Sequence, residues 1–179
     1  MFFRIDSVPV AQGRASLVLL FAPSAFARLG PESSPQTSGH VDSILVLKRE
    51  HLMELLAGGR VIRTYKAALG RGGLAPKERE GDARTLEGHN VIDSRNEHSG
   101  FYRALHISYP NAGDSSRAAK LGVTPGGAIM IHGIKNGLGW LGATHCTVDW
   151  TAGCIVVTDD EIDEVWNLVP VGTPVEIRP

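Results

Sequence analysis

The sequence is short of three features that particular classes of protein require. Its 179 residues carry a net charge of only −1, so there is no basic excess of the kind that nucleic-acid-binding domains use. The two cysteines do not form a Cys-x2-Cys pair, and the apolar run near the N-terminus is too short to span a bilayer before Pro23 interrupts it. The sequence therefore predicts no nucleic-acid partner and no permanent membrane anchor.

Turn-forming residues, by contrast, are abundant. The 21 glycines and 10 prolines favour short strands over long helices, and Gly58-Gly59 between two apolar runs predicts a hairpin within an N-terminal meander. Asp114 is expected to cap a short helix over residues 115–121, and Thr158 with Glu161 forms a capping box that starts a second helix over 158–168. The pattern predicts a mainly β domain, a mixed sandwich or barrel-like structure with two or three short helices. Further strands are expected at 42–48, 90–92, 101–108, 128–131 and 175–177.

The N-terminal residues have the composition of an export signal. Arg4 and Arg14 precede an apolar run, and Ala25-Phe26-Ala27 has the small-x-small pattern of a cleavage site. The alternative is a buried N-terminal strand or helix. We interpret residues 1–27 as a signal peptide, 28–40 as a polar linker and 41–179 as the functional domain, which predicts a periplasmic or cell-envelope location.

The candidate catalytic residues lie in the segment 129–158. His132 ends an apolar run and Cys154 directly follows a glycine, 22 residues later. A thiol that can ionise and an imidazole that can take its proton form a nucleophile and base if the fold brings them together. Each residue also has a structural interpretation, as a buried thiol or as a core histidine that bonds a backbone carbonyl.

The residues around this pair match a known pattern. The segments Ile131-His132-Gly133 and Thr151-Ala152-Gly153-Cys154-Ile155 resemble the signature of the L,D-transpeptidase catalytic domain family (YkuD type). Two positions depart from its commonest form, because Ala152 stands where many members have histidine and Val156 where many have arginine or asparagine. The resemblance covers about 41–179, with supporting stretches at 80–82, 84–88, 108–111 and 172–177.

This resemblance implies an activity and its substrates. In such a family member, the Cys154 thiolate attacks the third residue of a peptidoglycan tetrapeptide stem and expels the terminal D-Ala, while His132 relays protons. The thioester then passes to an amine, giving a 3→3 crosslink or a lipoprotein linkage, or to water, as in an L,D-carboxypeptidase or amidase. Carbapenem-type inhibitors are expected to acylate the thiol, and the chemistry requires no cofactor or metal.

The resemblance also implies roles for the neighbouring residues. The backbone N–H groups of Ala152, Gly153 and Cys154 would form the oxyanion hole. The Thr151 hydroxyl would position the loop, and Gly133 would permit close approach of the chain. Secondary candidates in the same loop are His145 and Asp149.

The second cysteine leaves alternatives open. Cys146 could form a disulfide with Cys154 in an oxidising compartment, or join Cys154, His132 and His145 in a zinc site, although the spacing does not favour metal. Two further functions therefore stand beside the enzyme. One is a catalytically silent cell-wall-binding protein of the same fold, suggested by Ala152 and Val156, and the other is a zinc-dependent hydrolase.

Overall fold

The computed structural model describes residues 40–179. The predicted signal peptide, and the predicted linker except His40, lie outside the described residues. Within residues 40–179, no helix is both long enough and apolar enough to cross a membrane. The strands are β1 (Ser43–Leu47), β2 (Leu52–Ala57), β3 (Arg60–Lys66), β4 (Gly88–Ser99), β5 (Tyr102–Ile107), β6 (Met130–His132), β7 (Ile155–Val156) and β8 (Pro174–Arg178).

The predicted N-terminal meander is present. Strands β1, β2 and β3 pair antiparallel in chain order. Gly58 and Gly59 turn the chain between β2 and β3 with φ angles of 59° and 72°, a conformation that costs glycine little. Alternate residues of β1 and β2 are buried, as expected for strands with one face on the core.

All eight strands belong to one mixed sheet, in the order β3-β2-β1-β8-β4-β5-β6-β7. The pairs β1–β8 and β6–β7 are parallel and the other pairs are antiparallel. Just beyond β3, Ala68 exchanges two backbone hydrogen bonds with Val156 of β7, at 3.0 and 2.9 Å, so the two edges of the sheet meet. The predicted mainly β, barrel-like class is therefore confirmed.

The first helix begins earlier than predicted. Helix α1 spans Ala112–Lys120, and its N-cap is Asn111 rather than Asp114. The Asn111 side chain accepts the Asp114 N–H at 3.0 Å, while the Asp114 carboxylate accepts the Asn111 N–H at 3.1 Å. Asp114 is thus the third helical residue of a capping box. The prediction that Asp114 is itself the N-cap is wrong.

The second helix agrees with the prediction. Helix α2 spans Asp159–Leu168 and starts with the expected capping box of Thr158 and Glu161. Its Ile162 and Val165 are fully buried against the sheet, and Trp166 is partly buried beneath the Arg95 guanidinium, 3.8 Å from the ring centre. The core under this helix includes Val46, Leu55, Leu105, Ile107, Ile131, Ile155 and Ile177.

Candidate active site

Two neighbouring parallel strands bring His132 and Cys154 to the same cavity. His132 ends β6, Cys154 directly precedes β7, and the register pairs Ile131 with Ile155. A parallel pair requires a long crossover, and residues 133–153 supply it. The cavity holds about 450 Å³ and is lined by Arg71, Asn96, Ser99, Phe101, Ala128, Met130, His132, Trp150, Thr151, Ala152 and Cys154.

His132 is held as a neutral base. Its ring lies 2.6 Å, Nδ1 to oxygen, from the Gly133 carbonyl. Because a carbonyl only accepts, Nδ1 carries the proton and Nε2 keeps its lone pair. Burial lowers the pKa of His132, so the imidazole is neutral at pH 7. The Phe101 ring at 4.6 Å and the Trp150 ring at 6.4 Å, between centroids, surround it.

Helix α2 fixes the chain that follows His132. The Asp159 carboxylate accepts the Ile134 N–H at 2.8 Å. A Cβ at Gly133 would lie 2.7 Å from that carboxylate and 3.0 Å from Ile162 Cγ2, so this position requires glycine. Asp159 was not among the predicted site residues. Its only sequence signal is its place after the capping residue Thr158.

The Thr151 hydroxyl organises the loop before the cysteine. It donates to the Cys154 carbonyl at 2.8 Å and accepts the Gly153 N–H at 3.0 Å. The backbone of Thr151 is itself bonded to Leu69 and Arg71, at 3.1 and 3.0 Å. The predicted oxyanion hole therefore needs correction, because the Gly153 N–H is already occupied and only those of Ala152 and Cys154 remain without a protein acceptor within residues 40–179.

Gly153 is required by its backbone angle and by its neighbours. Its φ of 131° lies in a region that other residues rarely adopt. A Cβ there would lie 2.7 Å from the Arg84 carbonyl oxygen and 3.0 Å from Ile129 Cδ1. The loop containing Arg84 is thus pressed against the chain immediately before Cys154.

The Cys154 thiol is not a thiolate at rest. Burial raises its pKa, although a backbone hydrogen bond from Met130 and the positive charge of Lys77 act in the opposite direction. The sulfur contacts the Ala128 carbonyl at 3.7 Å and makes no hydrogen bond with His132 in the described structure. Burial outweighs these two opposing effects, so the sulfur is protonated before a substrate binds.

The secondary candidates lie outside this cavity. His145 is buried and lines a separate apolar cavity of about 340 Å³, beyond Trp150. The Asp149 carboxylate accepts the Leu69 N–H at 2.8 Å and lies 3.1 Å from His51 Nε2, so it holds the backbone of the neighbouring segment. Cys146 Sγ is 3.2 Å from His145 Nε2. Neither His145 nor Asp149 lines the cavity of His132 and Cys154, although His145 is near enough for its charge to lower the pKa of His132.

The described residues offer neither the disulfide nor a zinc cluster. Cys146 and Cys154 are both free thiols. Within residues 40–179, no three His, Cys, Asp or Glu side chains are grouped closely enough to hold a metal ion. Seven of the eleven cavity residues were not predicted from the sequence, among them Arg71, Phe101 and Trp150. Of these seven, Met130 and Trp150 directly precede the two motifs and so had a sequence signal.

Comparison with known proteins decides the family. The model of the L,D-transpeptidase catalytic domain (YkuD) matches residues 41–177. This chain belongs to that family. Its relatives include YafK of Escherichia coli K12, a protein whose name assigns it to the L,D-transpeptidases, at 28% identity over 158 residues. That match covers 84% of this chain but only 56% of YafK.

Solved structures show that the chain has the fold of the L,D-transpeptidase family. The helical cell shape determining protein Pgp2 from Campylobacter jejuni aligns with a TM-score of 0.60 at 22% identity, covering 79% of this chain and 48% of Pgp2. The L,D-transpeptidase of Xylanimonas cellulosilytica, residues 123–326, aligns with a TM-score of 0.54 at 18% identity, covering 79% of this chain and 62% of that one.

The two departures from the L,D-transpeptidase signature differ in their surroundings. Ala152 is exposed and lines the cavity, so a larger side chain at this position would occupy part of the cavity. Val156 is fully buried in β7, with its backbone bonded to Ala68. Position 156 of this chain therefore offers no side chain to the cavity.

Proposed function

We propose that this protein is a cysteine-dependent L,D-transpeptidase that acts on peptidoglycan stem peptides. The observation that carries the proposal is the shared cavity of Cys154 and His132, in which the imidazole keeps Nε2 free to accept a proton. Family membership supports the same assignment. The chain spans about half the length of its curated relatives, so their activity does not transfer to it as a whole and the cavity is the main support for the proposal.

Proton transfer accompanies nucleophilic attack. A thiol of raised pKa and an imidazole of lowered pKa do not exchange a proton favourably at rest. As the sulfur bonds to the carbonyl carbon of the third stem residue, its proton passes to His132 Nε2. The Ala152 and Cys154 N–H groups stabilise the resulting oxyanion. Collapse breaks the peptide bond, and the imidazolium returns the proton to the leaving D-Ala amine.

The thioester is then consumed by an acceptor. An amine gives a 3→3 crosslink or a lipoprotein linkage, whereas water gives a free carboxylate as in an L,D-carboxypeptidase or amidase. In each case the acceptor's proton passes through His132 and the Cys154 thiol is restored. The oxygen and nitrogen nucleophiles require the same two residues, so both outcomes are compatible with this cavity.

Product analysis tests the reaction. The purified chain is incubated with disaccharide-tetrapeptide and the products are weighed by mass spectrometry, with Cys154→Ser as the matched control. Release of D-Ala, with a crosslinked dimer or a tripeptide as co-product, is the expected result. Turnover by Cys154→Ser at the wild-type rate would refute a cysteine mechanism.

A silent cell-wall-binding protein is the second candidate. Alanine at position 152 and the absence of a resting Cys154–His132 hydrogen bond favour it. Acylation separates the two candidates, since a binding protein without turnover machinery should not react with a carbapenem. The L,D-transpeptidase 3 of Mycobacterium tuberculosis has been crystallised with a faropenem-derived adduct. We propose that carbapenem-type inhibitors acylate Cys154 here.

We also propose that the protein works in the periplasm or cell envelope. The motivation is the Arg14 and Ala25-Phe26-Ala27 pattern, together with a substrate class that lies outside the cytoplasm. N-terminal sequencing of the periplasmic fraction should begin near Arg28. Recovery only from the cytosol, with Met1 intact, would contradict export.

A further inference from the structure

Arg71 lies in the reaction cavity but on a different part of the chain from the family signature. It follows Gly70, which bridges to Thr151 across the sheet edge. The Arg71 N–H donates to the Thr151 carbonyl at 3.0 Å, so its backbone is tied to the loop that presents Cys154. Its side chain is exposed and lines the cavity with Cys154 and His132.

The Arg71 guanidinium has no partner within the part of the chain that the structure describes. Three other described arginines, Arg49, Arg60 and Arg79, also lack a side-chain partner, but none of them lines this cavity. The remaining ones have partners, since Arg95 stacks on Trp166 and bonds its carbonyl. Those that pair with carboxylates are Arg63, Arg84, Arg103, Arg117 and Arg178. The cavity lining includes no acidic residue among those described, and an arginine guanidinium is a permanent cation in proteins. The cavity thus presents one cation and no built-in anion.

This cation fits a particular part of a stem peptide. A guanidinium binds a carboxylate through two parallel N–H···O bonds, and such charge-assisted bonds are stronger than neutral ones. Val156, at the position where many family members carry a polar side chain, is buried and cannot contribute. The groups of suitable chemistry near the scissile bond are the carboxylates of the terminal D-Ala and of a diamino acid that carries one on its side chain.

We propose that Arg71 binds a carboxylate of the donor stem peptide and thereby selects its charged form. The inference rests on the function proposed above and names a substrate contact for it. Arg71 acts in binding and takes no part in proton transfer, because His132 and Cys154 suffice for that step. Its loss should therefore raise KM far more than it lowers kcat.

The test compares three disaccharide-tetrapeptides with the full chain. One has both carboxylates free, one has a terminal carboxamide, and one has a side-chain carboxamide. Arg71→Gln should reduce kcat/KM for the fully charged substrate by about 10- to 100-fold, the range of a charge-assisted bond. It should cause no loss for the substrate that lacks the carboxylate bound by Arg71. That substrate identifies the bound group.

Two variants serve as controls. Arg71→Lys should retain part of the preference, because it keeps the charge without the fork geometry. Arg60→Gln removes an exposed arginine in β3 that does not line the cavity, and should behave as the wild type. Alkylation of Cys154 by neutral iodoacetamide should be equal in all variants, which establishes that the loop is intact.

The outcomes separate the two proposals. If Arg71→Gln loses nothing, or loses equally on all three substrates, the Arg71 assignment is overturned while the function stands. If the wild type processes none of them, the proposed function fails. In that case, calorimetric titration with the fully charged tetrapeptide tests the Arg71 assignment. The assignment requires that Arg71→Gln bind the peptide at least 10-fold more weakly than the wild type does.

Discussion

Each of the two cysteines in this protein shares its surroundings with a histidine, and the pair with the shorter contact is not the one that we propose as the active site. Cys146 Sγ lies 3.2 Å from His145 Nε2, whereas Cys154 makes no hydrogen bond with His132. Cys146 also donates to the Lys66 carbonyl at 3.4 Å. Distance between sulfur and imidazole therefore does not by itself make a nucleophile.

The surroundings of the two sulfurs differ in charge and in geometry. Burial raises the pKa of Cys146 to about 11, and the negative charges of Glu161 and Asp149 add to the rise while Lys66 opposes it. The pKa of Cys154 is raised by burial too, but the nearby positive charge of Lys77 opposes the rise. Only Cys154 follows a glycine, and within residues 40–179 the N–H groups of Ala152 and Cys154, on either side of Gly153, have no protein acceptor. Ala152 and Cys154 both line the cavity of about 450 Å³.

The largest effect should come from exchanging the thiols for hydroxyls. Cys154→Ser should abolish covalent acylation by a carbapenem, because a serine hydroxyl is far harder to ionise, whereas Cys146→Ser should retain it. Intact-protein mass spectrometry and peptide mapping under reducing conditions measure the adduct. An adduct mapped to Cys146 would reverse the comparison.

Removing each histidine comes next. His132→Ala should slow acylation by about 10²- to 10⁴-fold, the usual contribution of a positioned general base. His145→Ala should change the rate little, because His145 lines a different cavity. Stopped-flow measurement of carbapenem consumption gives both rates. Equal losses in the two variants would mean that neither histidine is the base.

Replacing one glycine by alanine in the segment of each cysteine tests the backbone geometry. Gly153→Ala should cost on the order of 3 kcal/mol and impair acylation, because its Cβ would lie 2.7 Å from the Arg84 carbonyl at a φ of 131°. Gly142→Ala, in the segment that carries Cys146, meets nothing within 4 Å at a φ of 48° and should cost about 1 kcal/mol. Chemical denaturation measures both. A Gly153→Ala midpoint equal to that of Gly142→Ala would remove the steric argument.

The smallest effect is in the pH dependence of the two sites. Because the pKa of His132 lies below its usual value, the base stays deprotonated and acylation of Cys154 should hold until the pH falls below about 6.5. Because the pKa of Cys146 is about 11, its alkylation should still be rising at pH 10. Site-resolved rates between pH 5 and 11 are expected to show these separate midpoints; a loss of acylation already at pH 7.5 would contradict a neutral His132.

Local patterns predicted most of the regular elements. The Gly58-Gly59 hairpin, the Thr158 capping box and strand β8 depend on neighbouring residues, so they could be read from the sequence. The 3₁₀ helix Gly139–Thr147 could not be predicted from the sequence, because it has no periodic apolar face and changes direction at Gly142. The start of helix α1 was predicted three residues too late, because Asn111 and Asp114 are both good capping residues and only the observed geometry distinguishes them.

The sequence by itself determined the family and the two residues proposed for the chemistry, since the His132 and Cys154 motifs are contiguous and specific. Only the tertiary structure decided their surroundings. Parallel pairing of β6 with β7 places both residues on one cavity, and Thr151 occupies the Gly153 N–H that was expected to hold the oxyanion. Arg71 enters from beyond β3, about 80 residues before Cys154, because the two edges of the sheet meet there. Such contacts join distant parts of the chain, and no local pattern encodes them.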